Sequence, residues 1–63
     1  MTFTDAIRYI RADEARKISR PGRTGTVQWF TTPDTLGFKD ENGQEISSFS
    51  VADILAENWE IAA

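Results

Sequence analysis

Phe49-Ser50-Val51-Ala52-Asp53-Ile54-Leu55-Ala56-Glu57-Asn58-Trp59-Glu60-Ile61 is the stretch whose reading decides the fold. Ser50, with Asp53 three positions on, fits a capping box in which Asp stands in for the usual Glu. The hydroxyl is placed to accept from the Asp53 amide, and the carboxylate to reach back to the start of the helix. Phe49 precedes the cap, where a hydrophobic staple would set it against Ile54. Val51, Ile54 and Leu55 share one face at helical spacing. The period then changes, because Trp59 and Ile61 alternate with Glu60 as in a strand buried on one face. The stretch predicts one short helix and a closing strand that carries Trp59 into the core.

The N-terminal segment repeats the helical signal. Thr2 and Asp5 fit a second capping box. Phe3, Ala6, Ile7 and Ile10 then recur at amphipathic spacing, with Arg8 and Arg11 pointing away. The helix is expected to stop within Ala12-Asp13-Glu14-Ala15. Arg16 to Arg20 reads as a short strand with Ile18 inward. Pro21-Gly22 is a turn, since Pro presets one dihedral and Gly permits a positive one. Gly25 to Thr31 reads as the longest strand, with Val27, Trp29 and Thr31 on one face and Gln28 and Phe30 on the other. An aromatic on each face suggests a central strand, or a face lying in a subunit interface.

Leu36 to Asp40 and Gln44 to Ser48 form a hairpin around Glu41-Asn42-Gly43. A two-residue Asn42-Gly43 loop would set Phe38 opposite Ser47. A three-residue loop with Gly43 left-handed sets Phe38 opposite Ile46 and Lys39 opposite Glu45, which keeps the apolar residues on one face. The order is helix, strand, strand, hairpin, short helix, strand. The expected architecture is α+β in a single domain, a small antiparallel sheet with the N-terminal helix packed on it and a short second helix before the last strand.

Composition narrows the function. The chain has 63 residues, no cysteine and no histidine. A domain of this size buries only ~60% of the surface its unfolded chain exposes. Without disulfides or a cysteine-based metal site, oligomerisation is the remaining way to add stability. No basic segment followed by an apolar run opens the chain, and no apolar stretch is long enough to span a bilayer. A cytoplasmic protein with no membrane partner is the expectation. Net charge is −3, which argues against binding a DNA or RNA duplex. The charge is uneven: residues 1–23 hold six basic against three acidic residues, and residues 24–63 hold Lys39 against seven acidic ones. Such asymmetry marks an anion site, complementary faces of an oligomer, or ordinary solvated surface.

The pattern does not favour an enzyme. Ser47, Ser48 and Ser50 have no histidine to activate them. Asp40, Glu41 and Glu45 cluster at a hairpin tip, where solvated charge is the simpler reading. No Gly-rich phosphate loop is present, and no cofactor is implied. Arg20-Pro21-Gly22-Arg23-Thr24-Gly25 alone has the character of an anion site, with two guanidinium forks, a hydroxyl and flexible backbone amides close together. The alternative is an ordinary charged turn. Trp29 and Phe30 could stack on a base, although core is the simpler place for an aromatic in a strand.

Four segments together resemble the phage Thoeris anti-defence family of the second type: Phe3-Thr4-Asp5-Ala6-Ile7, the basic strand into Arg20-Pro21-Gly22, Leu36-Gly37-Phe38-Lys39-Asp40, and Asp53 to Ile61. The resemblance spans nearly the whole chain, and Ile54-Leu55-Ala56-Glu57-Asn58-Trp59-Glu60 is its most specific part. It departs at Arg23, where the family has a tryptophan, and in a shorter middle. The resemblance implies a small α+β homo-oligomer that sequesters cyclic ADP-ribose-type or cyclic oligonucleotide immune signals without cleaving them. The ligand residues expected here are Arg20, Gly22, Arg23, Thr24, Trp29 and Phe30, with the arginines on phosphates and an aromatic on the base. The competing expectation is a protein-interaction module that inhibits a host defence enzyme directly through its acidic C-terminal part.

Overall fold

The Leu36–Ile46 hairpin shows how tightly turn chemistry constrains this sheet. Gly43 has φ +81° and its amide donates to the Asp40 carbonyl at 3.1 Å. The Asp40 carboxylate accepts from the Asn42 and Gln44 amides at 2.9 and 3.0 Å, closing the loop on itself. The strands it joins, β3 (Leu36–Lys39) and β4 (Glu45–Ile46), pair Phe38 with Ile46 and Lys39 with Glu45. This is the three-residue-loop register, and it keeps Phe38 and Ile46 on one face.

The computed structural model describes residues 1–62. The remaining elements are α1 (Phe3–Arg11), β1 (Lys17–Ser19), β2 (Val27–Thr31), α2 (Val51–Leu55) and β5 (Glu60–Ala62). The five strands form one antiparallel sheet in the order β4-β3-β2-β1-β5. β2, the strand with an aromatic on each face, is the central one. It begins at Val27 rather than at Gly25. The fold is the α+β arrangement expected, with α1 on one sheet face and α2 before the last strand.

One sheet face carries the core. Ala6 and Ile10 from α1 close over Ile18, Val27 and Trp29, and Trp59 completes the buried cluster. Fully burying an aliphatic or aromatic side chain of this size stabilises by about 1.5–3 kcal/mol. Phe3 and Ile7 pack at its margin. Thr2 caps α1 by accepting from the Asp5 amide at 3.2 Å, but no reciprocal bond from the Asp5 side chain forms, so only half of the expected box is present. Arg11, expected to point away, lies with its guanidinium 5.2 Å from the Trp29 ring centre, so its long side chain folds back over the core edge. The other sheet face carries no helix. Lys17, Gln28, Phe30, Gly37, Lys39 and Glu45 alternate onto it.

The C-terminal stretch departs from expectation in three places. Ser50 and Asp53 do form the reciprocal capping box. Phe49, however, packs edge-on against Phe3 and Phe38, with ring centres 5.2 and 5.5 Å apart, instead of stapling to a well-buried Ile54. Val51, Ile54 and Leu55 face outward, at 72%, 50% and 73% exposure. The residues of this helix turned inward are Asp53 and, partly, Ala56. Trp59 is buried as expected, but it precedes β5 rather than belonging to it, and Ile61 is exposed. Backbone bonds between Trp59 and Met1 hold this segment against the start of the chain: the Trp59 amide donates to the Met1 carbonyl at 3.0 Å, and the Met1 nitrogen donates to the Trp59 carbonyl at 2.8 Å.

Candidate functional site

The loop from β1 to β2 contains the residues with most chemistry. Arg20-Pro21-Gly22-Arg23 is a tight turn closed by the Arg23 amide donating to the Arg20 carbonyl at 3.2 Å. Pro21 at the second position and Gly22 at φ +89° in the third match a type II turn. The turn places two guanidiniums side by side. Both point at one acceptor, the buried carboxylate of Asp53.

Arg20 Nε donates to Asp53 Oδ1 at 2.9 Å, and Arg20 Nη2 lies 2.9 Å from the same oxygen. Arg23 Nη1 donates to Oδ2 at 2.6 Å. The Ser50 amide donates to Oδ2 at 3.3 Å, so the helix cap and the ion-pair cluster share one carboxylate. Trp59 Nε1 donates to the Asp53 carbonyl at 2.9 Å. The Arg20 guanidinium lies 5.9 Å from the Trp59 ring centre, and that of Arg23 5.4 Å from Phe49. Asp53 is thus bonded on both sides of its backbone and at both side-chain oxygens. With α2 in this orientation the acid meets both arginines and the Asp53 carbonyl meets the Trp59 indole, while the aliphatics face out.

Burial by itself would push the Asp53 carboxyl up. The Arg20 hydrogen bonds, the Ser50 amide, the Arg23 charge and the Ser50 hydroxyl outweigh it and hold the group below the ordinary aspartate value. A folded-state value below the unfolded one means that the stabilisation is fully present above about pH 4, the unfolded value, and fades as pH falls through the folded value. Urea midpoints should therefore stay level from pH 7 to pH 5 and drop below pH 4. The same series on Asp53→Asn should show a smaller drop, because one of the titrating carboxylates is gone. Parallel acid limbs in the two proteins would show that other carboxylates govern the transition.

The six residues expected at a ligand site fall in different places. Arg20, Gly22, Arg23 and Thr24 stay together on the loop, with Gly22 and Thr24 exposed and the two arginine side chains only 14% and 22% exposed. Trp29 is in the core, against Phe38 at 5.3 Å. Phe30 projects from the opposite sheet face, so neither ring joins the arginines within one chain.

No family model, curated protein or solved structure matches this chain. The site is thus read from its own residues. The residue that sequence reasoning missed is Asp53 as the partner of both arginines. Its one signal is positional: Phe49, Asp53 and Ala56 form an inward stripe at helical spacing once an acid is allowed in it. Among the described residues, no group of three or more potential metal-ligating side chains comes together, and no helix is long and apolar enough to cross a membrane.

Proposed function

We propose that this protein is a non-catalytic binding protein of phage origin that sequesters a cyclic nucleotide immune signal at the Arg20–Thr24 loop, as a homo-oligomer. The observation that carries the reading is the charge imbalance of the cluster. Two guanidiniums share the Asp53 carboxylate beside the exposed Gly22 and Thr24, one positive charge more than the acids within ion-pair distance; Glu41, which lies against Gly25, pairs with neither arginine. A phosphate complements that surplus, and the amides and hydroxyl of the turn suit its oxygens. The order of elements agrees with the small α+β architecture that the family resemblance implies. The outward aliphatic face of α2 suits burial by a second copy, which would add stability to a chain without disulfides or a cysteine-based metal site.

A second reading has its own support. Asp53 already occupies both forks, and the outward face of Val51, Ile54 and Leu55 is followed by Glu57 and exposed Glu60. An apolar patch with an acidic rim suits a protein partner, which makes direct inhibition of a defence enzyme the alternative.

Calorimetry with cyclic ADP-ribose isomers and cyclic dinucleotides separates the two. The sponge reading expects saturable binding by the intact protein and a rise in Tm with ligand. A charge-assisted hydrogen bond contributes about 1.5–3 kcal/mol, so Arg23→Lys, which keeps the charge but loses the planar fork, should weaken binding by roughly tenfold or more. Absence of heat with every nucleotide at millimolar concentration removes this reading. Light scattering should find a dimer or larger species, and Leu55→Glu should reduce it. A monomer at micromolar concentration would take away the shared-interface part of the proposal.

A further inference from the structure

The helix-free sheet face holds a pocket of about 370 Å³, lined by Glu14, Phe30, Thr31, Thr32, Lys39, Gly43 and Glu45. Its volume falls at the lower end of small-ligand sites, about 300–1,000 Å³. None of these residues except Phe30 figured in the sequence-based site, and none touches the Arg20–Asp53–Arg23 cluster. Apart from Phe30, the pocket is independent of the residues expected to hold a nucleotide.

Its chemistry is specific. Phe30 lies across Gly37, where an added Cβ would sit 3.2 Å from the ring and 3.5 Å from a Glu45 carboxylate oxygen. The missing side chain thus lets an aromatic ring and a carboxylate meet over the same spot on the sheet. Glu14 supplies a second carboxylate. Its Oε1 accepts from the Thr31 amide at 2.9 Å, which fixes the group and leaves Oε2 for another donor. Lys39 stands directly opposite Glu45 on the neighbouring strand, yet among the described residues it forms no ion pair within 4.0 Å. The pocket lining thus brings together two carboxylates, an aromatic ring and an ammonium that has no ion pair within 4.0 Å among the described residues.

We propose that this pocket binds a small zwitterion of the α-amino acid type. The ligand's ammonium is held by Glu14 and Glu45 with the Phe30 ring beside it, its carboxylate is held by Lys39, and an apolar side chain lies on Phe30. A bare anion meets two carboxylates, and a bare cation leaves Lys39 without a partner while facing its charge. A ligand bearing both charges complements all three charged groups.

The probe is L-phenylalanine, titrated into the intact protein and followed by amide and aromatic NMR shifts. Phenethylamine, 3-phenylpropionate and adenosine serve as the single-charge and nucleoside comparisons. The expected result is saturable shifts centred on Phe30, Thr31 and Lys39, with phenethylamine and 3-phenylpropionate each at least tenfold weaker and adenosine without effect. Glu14→Gln keeps an oxygen to accept from the Thr31 amide but removes the charge. It should weaken L-phenylalanine at least fivefold with an unchanged Tm, and Lys39→Met should do the same. No shifts at these residues at millimolar L-phenylalanine, equal binding of either single-charge analogue, or preference for adenosine would overturn the assignment. Calorimetry with cyclic nucleotides does not bear on it, because the loop site uses none of these side chains.

Discussion

Trp59→Ala is expected to leave the protein unfolded at 25 °C. Trp59 is 1% exposed, the largest side chain in the core, and it is fixed from several directions. Its indole N–H bonds the Asp53 carbonyl, Phe3 packs at 5.7 Å between ring centres, and the Arg20 guanidinium lies 5.9 Å from the ring centre. Truncating a buried aromatic of this kind costs about 3–5 kcal/mol. At roughly 0.05–0.15 kcal/mol per residue the chain holds about 3–9 kcal/mol, and a domain this short without disulfides belongs at the lower end, where the loss removes the margin. The mutant should show random-coil amide shifts and no cooperative urea transition. Trp59→Phe keeps most of the apolar area but strands the Asp53 carbonyl, and it should fold with a lower midpoint. A Trp59→Ala protein that unfolds cooperatively near the original midpoint would mean that Trp59 is not a core anchor.

The sheet and α1 were legible because each signal there was local. Ile18, Val27 and Ile10 follow simple period-2 and period-3.6 patterns, and all three are buried. The hairpin register followed from a single choice of loop length, since the wrong loop would have faced Phe38 with a serine. The α2 region was half legible for a definite reason. Its cap is local, three residues apart, and was read correctly. Its orientation depends on Arg20 and Arg23, about thirty positions earlier in the chain. Hydrophobic periodicity assigns the inward face to Val51, Ile54 and Leu55, but a buried ion-pair cluster outweighed three short aliphatic contacts. The candidate ligand residues divided for a similar reason. Trp29 and Phe30 are adjacent in sequence, and adjacency in a strand guarantees opposite faces.

The second large effect concerns Asp53 itself. Asp53→Ala removes the partner of both guanidiniums and half of the capping box in one step. Breaking a buried pair by deleting one member costs about 3–5 kcal/mol, because the charge left behind remains desolvated and unpaired. Two such charges stay behind here, so Asp53→Ala should be at least as damaging as Trp59→Ala. Arg20→Ala and Arg23→Ala should each cost less, since the surviving arginine still neutralises the carboxylate. Arg20→Ala should be the worse of the two, as it also uncovers Trp59. Neutralising all three positions together, as Arg20→Met, Arg23→Met and Asp53→Leu, removes every stranded charge and should recover much of the stability lost by Asp53→Ala alone. Urea denaturation of the four variants measures this. The triple variant also divides structure from function, because it should fold without the two guanidiniums on which the proposed nucleotide capture rests. If it folds and still binds a cyclic nucleotide with undiminished affinity, the arginines serve only α2, and the ligand site lies elsewhere on the chain.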